Sequence, residues 1–254
     1  MHAASVDART STKRHSKEYK LTTEPIYLHD SYARTFDAKV TASERNLVVL
    51  DRSAFYPGGG GQPHDLGTLN GTQVVGFNRD AGEVWHELEG DAPKVGDAVA
   101  GELDWERRYS LMRTHTAMHI LCGVIWRDYG AKVTGGGMQP LKGRMDFEFE
   151  QMKAELVGDI DKAINDEVKK ARSISVRFLD RTAANVDPDL IRTKINLLPK
   201  EITEVRVLDI EGLDVQADGG THVKSTDEVG TIHIANYKSK GRANKRLEIA
   251  LDPP

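Results

Sequence analysis

The sequence predicts an α+β fold in which a small N-terminal β-barrel precedes a part where helices pack on an antiparallel sheet. Short β-type runs separated by turn residues occupy about residues 22–104, which is typical of a small barrel. Two long apolar patterns with helical spacing follow, at residues 105–129 and 150–172, and each precedes further short β-type runs. This mixture of strands and helices places the chain in the α+β class.

Composition divides the chain into three ranges. Residues 1–20 are rich in Ser, Thr, Lys and Arg with little apolar content, so we expect a mobile arm. Residues 21–104 hold the predicted barrel, and residues 105–254 hold the helices and the antiparallel sheet. With 254 residues, 39% of them hydrophobic and 29% charged, the chain is long enough to bury a sizeable core.

The cysteine count and the short apolar runs bound the cellular environment. One cysteine excludes an internal disulfide and suits a reducing compartment. No apolar run approaches membrane-spanning length, and residues 1–20 lack the apolar segment of a secretory signal. We therefore expect a cytoplasmic protein. The net charge of −4 argues weakly against a dedicated nucleic-acid-binding protein, but it does not exclude local basic patches.

The predicted barrel contains a glycine-rich motif at residues 58–67. The barrel strands are expected at residues 25–28, 37–40, 46–50, 73–77, 83–86 and 97–100. Four consecutive glycines cannot pack a core and lose much backbone entropy on folding, so they suit a backbone that approaches a ligand closely. A flexible hairpin connection is an equally supported alternative. No Gly-Lys-Ser/Thr follows the glycines, which excludes a nucleotide-binding P-loop.

The helix predicted over residues 105–129 carries two histidines, His115 and His119, four residues apart. Residues i and i+4 lie on one helix face, so both imidazoles can reach a single metal ion. The apolar stripe recurs at three-to-four-residue steps and includes both positions, which points the pair inward. For the pair alone, the simpler interpretation is favoured: one hydrogen-bonded core histidine and one histidine lining a polar pocket.

A second pair of possible ligands lies about a hundred residues downstream, where an apolar strand enters the turn at residues 218–222. Asp218 and His222 flank two glycines, which permit close approach because neither carries a side chain. With the helical pair these residues make a four-group site. Such a site suits a catalytic zinc ion that keeps one position open for water or substrate.

The rest of the second part is predicted as a glycine cluster, a helix and short strands. The glycine cluster lies at residues 132–139, and the helix over 150–172 has a solvated face that implies no chemistry. Strands are expected at residues 143–149, 174–179, 205–210, 229–234 and 245–251, with a turn at 187–190 that opens a short helix.

The predicted connection between the last two strands carries five positive charges and no acid: Lys238, Lys240, Arg242, Lys245 and Arg246. Such a loop is usually only soluble surface, but beside a metal pocket it could bind phosphates. Three arginines of the histidine helix, Arg107, Arg108 and Arg113, are likewise expected on a solvated face, with phosphodiester contacts as the alternative.

Taken together, the histidine pair, the Asp218 turn and the glycine motif resemble the alanyl-tRNA editing proteins. These are free-standing relatives of the editing domain of alanyl-tRNA synthetase. In that family a helical HxxxH is followed about a hundred residues on by CxxxH, most often CGGTH. A GGGGQPxDxG motif in an N-terminal barrel marks its medium and long forms, and residues 58–67 match it closely. The resemblance covers roughly residues 22–252.

The resemblance implies an aminoacyl-tRNA deacylase that acts in trans on mischarged alanine tRNA carrying chiefly serine, with glycine as a further candidate. His115, His119 and His222 would be catalytic and, with Asp218, would bind one Zn²⁺ ion. Asp218 stands where the family usually has cysteine, and its harder oxygen ligand lowers the preference for zinc over other divalent ions. Cys122 follows His119 on the same helix and is expected in core packing.

The family also implies where the substrate and the RNA are bound. The residues expected to bind substrate are Gly59, Gly60, Gln62, Asp65, Thr134 and Gln139. Thr134 is the expected partner of the serine hydroxyl, because a polar group left unpaired by alanine costs about 1–3 kcal/mol. A similar basic loop occurs in the family, so the five cations of residues 238–246 are the expected RNA contacts.

Three mechanisms and two other functions remain open at this point. The metal could activate water, polarise the ester carbonyl, or bind the amino group and position the ester. No Ser/His/Asp or Cys/His signature is present, so we expect no covalent acyl-enzyme. The other functions are a metal-dependent hydrolase of a different ester or amide, and a catalytically inactive tRNA-binding module, which Asp218 in place of cysteine would suit.

Overall fold

The computed structural model describes residues 23–80, 82–149, 153–182, 190, 203–241 and 244–253, and it confirms the α+β class. The two helices that matter here are α1 (Trp105–Tyr129) and α2 (Ala154–Lys169). The strands are β1 (Glu24–Pro25), β2 (Thr35–Glu44), β3 (Leu47–Leu50), β4 (Arg52–Ser53), β5 (Gly67–Leu69), β6 (Thr72–Asp80), β7 (Glu83–Leu88), β8 (Ala98–Leu103), β9 (Val133–Gln139), β10 (Lys142–Phe147), β11 (Ile174–Asp180), β12 (Glu204–Ile210), β13 (Asp214–Ala217), β14 (Ile232–Gly241) and β15 (Asn244–Leu251). The predicted arm at residues 1–20, residues 187–189 of the predicted turn and Arg242 lie outside the described residues.

Six strands of the N-terminal part pair in a ring, in the order β2, β3, β7, β6, β5 and β8. The antiparallel pairing of β8 with β2 closes the ring, with Thr35 opposite Glu102. Side chains alternate along β2, where Phe36, Ala38 and Val40 are buried and the residues between them are exposed. The ring therefore encloses its own hydrophobic core, distinct from the one around α1.

Two details of this part differ from the sequence prediction. Residues 26–28, predicted as a strand, form a single 3₁₀ turn in which His29 and Asp30 both donate backbone hydrogen bonds to the Ile26 carbonyl. Residues 67–69, not predicted as a strand, form β5. A Cβ at Gly67 would stand 2.1 Å from the Glu102 carbonyl oxygen, so this glycine permits close strand packing rather than a turn.

A four-stranded antiparallel sheet, in the order β14, β15, β10 and β9, forms the second part with α1 and α2. The glycine cluster predicted at residues 132–139 is strand β9. The basic connection predicted at residues 238–246 is also a paired structure, because β14 and β15 continue to Gly241 and Asn244 with Lys238 opposite Arg246. A separate sheet of β11, β12 and β13 leads into the turn at residues 218–222.

Helix α1 lies at the centre of the second part. Asp104 caps its start by accepting from the Arg107 backbone N–H, and Gly130 ends it in the left-handed conformation. Almost every residue from position 108 to 125 is buried. The expected solvated face is therefore wrong for Arg108 and Arg113, which are 0% and 4% exposed. No helix of the described ranges is long and apolar enough to cross a membrane.

The glycine motif is anchored to α1 by a buried ion pair between Asp65 and Arg108. The Arg108 Nε donates to both carboxylate oxygens at 3.0 Å, and its Nη2 donates to the same carboxylate and to the Ala54 carbonyl. The carboxylate also accepts from the Tyr56 backbone N–H at 2.6 Å. Asp65 is 0% exposed, so its expected contact with substrate is replaced by this structural role.

Removal of the Asp65 carboxylate should destabilise the fold strongly. We expect Asp65→Ala to lower the free energy of unfolding by about 3–5 kcal/mol, because the buried Arg108 guanidinium loses its counter-charge. Urea unfolding followed by circular dichroism measures the change. The exposed Asp91 is the matched control, and Asp91→Ala should stay within about 0.5 kcal/mol. Equal small effects of the two substitutions would contradict the assignment.

Candidate metal centre

Three histidines and one aspartate converge beside α1. His115 and His119 project from successive turns of α1, and Asp218 and His222 lie in the turn that follows β13. One ligand atom from each of the four residues lies within 4.8 Å of the others. All four side chains are at most 16% exposed. The structure thus brings together two pairs of residues, His115 with His119 and Asp218 with His222, that lie about a hundred positions apart in the sequence.

Each imidazole of this cluster is oriented by a hydrogen bond at its Nδ1 atom. His119 Nδ1 lies 2.9 Å from Asp214 Oδ2, and His115 Nδ1 lies 3.0 Å from Gln62 Oε1. His222 Nδ1 lies 3.2 Å from Thr116 Oγ1. A carboxylate and an amide oxygen can only accept, so at least His115 and His119 donate from Nδ1. Their Nε2 atoms are therefore left to face the cluster.

The Nε2 atoms surround the Asp218 carboxylate. His222 Nε2 is 2.9 Å from Oδ2, and the Nε2 atoms of His115 and His119 are 3.5 and 3.9 Å from Oδ1. Ligands held at about 2.0–2.2 Å by a tetrahedral zinc ion lie roughly 3.3–3.6 Å apart. The longer two separations exceed hydrogen bonding but are close to that spacing. Three imidazole nitrogens and one carboxylate oxygen therefore fit a divalent metal ion.

The turn at residues 218–222 needs a glycine because its backbone lies very close to His115 on α1. A Cβ at Gly220 would lie 2.4 Å from His115 Cε1 and 2.6 Å from Gln62 Oε1. The Gly220 backbone N–H also donates to Asp218 Oδ2 at 2.7 Å, which fixes the carboxylate. A Cβ at Gly219 would meet no atom within 4 Å, so only the second glycine is a steric necessity.

Burial and mutual contacts set the charges of the cluster. Burial lowers the pKa of His222 to about 4 and depresses the pKa of His115 well below its usual range. Burial also opposes the charged form of His119, but its hydrogen bond to Asp214 and the nearby Asp218 carboxylate outweigh burial and raise its pKa to about 9. Burial alone would raise the pKa of Asp218, yet the three histidines hold it well below its usual range. The site is thus built around an ionised carboxylate.

Gln62 is the predicted substrate residue that lies closest to this chemistry. Its Oε1 accepts from the Thr221 backbone N–H at 3.1 Å as well as from His115, and its Nε2 donates to Thr221 Oγ1 at 2.8 Å. Because a backbone N–H can only donate, the Thr221 contact fixes which end of the amide faces His115. Gln62 therefore positions His115, a role that its place in the glycine motif did not reveal.

The glycine motif itself is an ordered turn. Gly58 to Gly61 all have positive φ, between 55° and 140°, which favours glycine at each position. Arg79 Nη2 donates to the Gly58 carbonyl at 2.7 Å, and the Tyr56 hydroxyl donates to the Gly59 carbonyl at 2.9 Å. The Gly61 carbonyl accepts from the Met138 backbone N–H, which joins the motif to β9. These contacts favour close backbone approach over a flexible hairpin connection.

A groove of about 790 Å³ opens beside Gln62, between the glycine motif and the solvent face of the four-stranded sheet. It is lined by residues 61–63, 136–139, 142–144, 235 and 248–250. Gln139, one of the residues predicted near substrate, lines this groove. Thr134 lies toward the other end of β9, where its hydroxyl donates to Asn244 Oδ1 at 2.9 Å. A contact of Thr134 with the serine hydroxyl would require that bond to break.

Most of the described cations expected to contact RNA have partners within the protein. Lys238 is paired with Glu248 at 2.7 Å, and Arg246 donates to both oxygens of Asp146. Lys245 is 7% exposed and its Nζ donates to the Gly241 carbonyl. Lys240 is exposed on β14. The positive charge of this hairpin is therefore much reduced by neighbouring acids.

Several residues of the site were not predicted from the sequence. Asp214 orients His119, and its other oxygen, Oδ1, is buried without a hydrogen-bond partner among the described residues. Gln216 donates to Asp214 Oδ2 at 2.6 Å and to Cys122 Sγ at 3.3 Å. Cys122 belongs to the hydrophobic core, as expected, and is not part of the four-residue cluster. No local pattern marks Asp214, because its role depends on the packing of β13 against α1.

Similar sequences occur in proteins named for alanyl-tRNA editing and for the ligation of alanine to tRNA. Residues 2–107 match the family described as class II (A) tRNA synthetases, and residues 205–248 match the second additional domain of threonyl and alanyl tRNA synthetases.

The chain is 38% identical over 238 residues to the alanyl-tRNA editing protein AlaX-M of Saccharolobus solfataricus, covering 91% of this chain and 100% of that protein. It is 37% identical to the AlaX-M protein of Methanosarcina mazei, covering 90% and 96%. It is 33% identical to the alanine–tRNA ligase of Methanococcus maripaludis, covering 94% of this chain and 27% of the ligase.

The two glycines of the turn provide a matched test of the cluster. Gly220→Ala should weaken binding of Co²⁺, measured by its visible absorption, by at least about tenfold, because the added methyl group displaces His115 and Gln62. Gly219→Ala is the control and should bind Co²⁺ as the unaltered protein does, since its methyl group meets no atom within 4 Å. Equal affinities of the two variants would contradict the proposed packing of the turn.

Proposed function

Because the chain belongs to the family of alanyl-tRNA editing proteins, we propose that it hydrolyses the ester of mischarged alanine tRNA in trans. The substrates are seryl and, as a second case, glycyl esters of this tRNA. Relatives of the same name cover nearly the whole chain, which supports this assignment over a hydrolase of unrelated esters.

One observation carries the hydrolytic function: the convergence of three imidazole Nε2 atoms on one buried carboxylate. With Nδ1 donating, the neutral imidazole of His115 presents its Nε2 lone pair toward Asp218, and His119, whose pKa is raised, would present one on losing its second proton. Arg206 Nη1, 3.5 Å from Oδ2, gives the carboxylate one positive neighbour, but a lone pair that faces an anion in a buried site is stabilised only by a cation between the two. A module that only bound RNA would have no use for this arrangement, so the geometry favours the enzyme over the inactive alternative.

His115, His119, Asp218 and His222 would hold the zinc ion of this site. Bound there, zinc supplies Lewis-acid chemistry at the attacking water, at the ester carbonyl, or as an anchor for the substrate amino group. The hydrogen bonds to Asp214, Gln62 and Thr116 keep the three imidazoles in one orientation. The Asp218 oxygen is a harder ligand than thiolate, so manganese, iron or cobalt would also fit this site.

The protein itself supplies positioning and exclusion of water. The groove leads to Gln62, whose amide touches His115 on one side and lines the groove on the other. An ester at the end of a bound chain would thus reach the cluster through the glycine motif, with Gly59, Gly60 and Gln139 along its path. Burial of the four ligands keeps bulk water from the reacting carbonyl and strengthens each electrostatic contact.

The two parts of the chain have different tasks in this proposal. Residues 21–104 form a barrel domain that contributes the glycine motif, and residues 105–254 form the domain that carries the cluster. The Asp65–Arg108 pair and the bond from Met138 to Gly61 hold the motif over the second domain. Lys240, exposed near the end of β14, remains a proposed RNA contact, as does Arg242, which lies outside the described residues.

The test is the release of labelled amino acid from alanine tRNA. Serine should be lost rapidly from seryl-tRNA, while alanine should remain on alanyl-tRNA, and a chelator should abolish the loss. Asp218→Ala should reduce the rate by at least about 100-fold, the upper end of the loss expected when support of a metal site is removed. Gly219→Ala, which leaves the packing unchanged, is the control.

The outcomes separate the three functions. Loss of serine that persists in chelator keeps the deacylase but contradicts the metal. Absence of hydrolysis by a protein that binds the tRNA would contradict the enzyme and favour the inactive binding module. Equal turnover of small esters and seryl-tRNA would favour a hydrolase of another substrate.

A further inference from the structure

The solvent face of the four-stranded sheet carries two cations, Lys142 and Arg144, that form no salt bridge among the described residues, although Arg144 lies near enough to Asp146 to help lower the pKa of that carboxyl. On this face Gln139, Lys142 and Ala250 are cross-strand neighbours, and the next row holds Gly137, Arg144 and Glu248. The row after it holds Asp146 and Arg246. Alternation supports this assignment, because Lys142 and Arg144 are exposed while Gly143 and Met145, which follow them in turn along β10, are buried.

Both carboxylates on this face are already paired. Asp146 binds Arg246 at 2.6 Å, and Glu248 binds Lys238 at 2.7 Å. Arg144 stands directly opposite Glu248 on the neighbouring strand, yet no salt bridge joins them in the described ranges. Lys142 likewise has no carboxylate within salt-bridge distance in the described part of the chain. Two positive charges are thus left for a ligand, and both line the groove.

The floor of the groove is open backbone. Gly137 lies under the Arg144 guanidinium, with Nη2 3.5 Å from where a Cβ would stand. Gly61 approaches the Gly137 backbone to 3.4 Å on the same measure, so the glycine motif forms the opposite wall. Larger side chains at these positions would fill the space between the two cations and Gln62. A volume of about 790 Å³ suits a few linked nucleotides but not a duplex.

We propose that Lys142 and Arg144 bind the phosphodiester backbone of the single-stranded 3′ end of the tRNA and lay it along the groove toward Gln62. This inference rests on the proposed function for the identity of the RNA. Phosphate contacts of this kind position a nucleic acid without reading its sequence. Lys142 and Arg144 are therefore positioning residues, which hold the terminal nucleotide so that its ester faces the cluster.

The experiment measures binding, not hydrolysis. The probes are a labelled acceptor-stem minihelix of alanine tRNA that ends in single-stranded ACCA, and the same minihelix without those four nucleotides. Fluorescence anisotropy gives Kd for each over a range of KCl concentrations. The proteins are the unaltered chain, the double variant Lys142→Gln/Arg144→Gln, the charge-retaining Arg144→Lys, and Lys94→Gln, an exposed lysine of the N-terminal part, as control.

The unaltered protein should bind the complete minihelix more tightly than the shortened one, and the double variant should bind both alike. Each lost phosphate contact on a single strand lowers the slope of log K against log[salt] by about 0.7, so the double variant should lose roughly 1.4 on the complete probe. Its slope on the shortened probe should stay unchanged. Arg144→Lys and Lys94→Gln should behave as the unaltered protein does.

Two results would overturn the inference. One is a double variant that still discriminates between the probes as strongly as the unaltered protein. The other is an equal loss of affinity for both probes, which would place the two cations on the duplex. Neither result depends on catalysis, so a protein that binds the single-stranded end through these residues but releases no serine would refute the proposed function and leave the groove assignment standing. Circular dichroism of the double variant checks that its fold is retained.

Discussion

The burial of one ionised carboxylate among three imidazoles is the constraint on which the rest of the structure depends. Asp218 is surrounded by His115, His119 and His222, and burial strengthens every electrostatic contact among them. Isolated, such an anion would be strongly destabilising. The Arg206 guanidinium, 3.5 Å from Oδ2, and the His119 imidazole, whose pKa is raised, offset this cost. The bonds at Nδ1 turn the three Nε2 atoms toward the same carboxylate. The closeness of the four groups therefore costs folding free energy, and it is also what would let them share a metal ion.

Much of the surrounding structure holds that cluster in place. Helix α1 is buried on almost all sides, which lets its two histidines reach a turn from a different sheet while its ends stay capped. Gly220 allows the turn to approach His115, and Gln62 joins the turn, the helix and the glycine motif through three hydrogen bonds. The ion pair between Asp65 and Arg108 fixes the glycine motif to α1. The N-terminal part thus acts on the site through a few defined contacts.

Sequence patterns predict the features that depend on local spacing, and miss those that depend on packing. The histidines at positions i and i+4 and the two-glycine turn can each be recognised from a few consecutive residues, and the four-residue cluster that they predict is present. Strand β9 escapes prediction because three glycines in succession have low strand propensity, whereas pairing with β10 overrides it. The basic segment at residues 238–246 is predicted as a loop because it contains no acidic residue. The acids that neutralise it, Glu248 and Asp146, lie outside the segment and reach it only through strand pairing. Asp214 and the pair Lys142 and Arg144 become visible only once strands are placed side by side.

The most direct test of the metal centre is the metal content of the purified protein, together with X-ray absorption at the zinc edge. We expect one ion per chain, bound by three imidazole nitrogens and one carboxylate oxygen at about 2.0–2.2 Å, with no sulfur ligand. The same measurement on Asp218→Ala should show loss of the ion or of its oxygen ligand. A sulfur ligand from Cys122, fewer than three imidazoles, or a protein that deacylates seryl-tRNA at full rate without metal would contradict this centre.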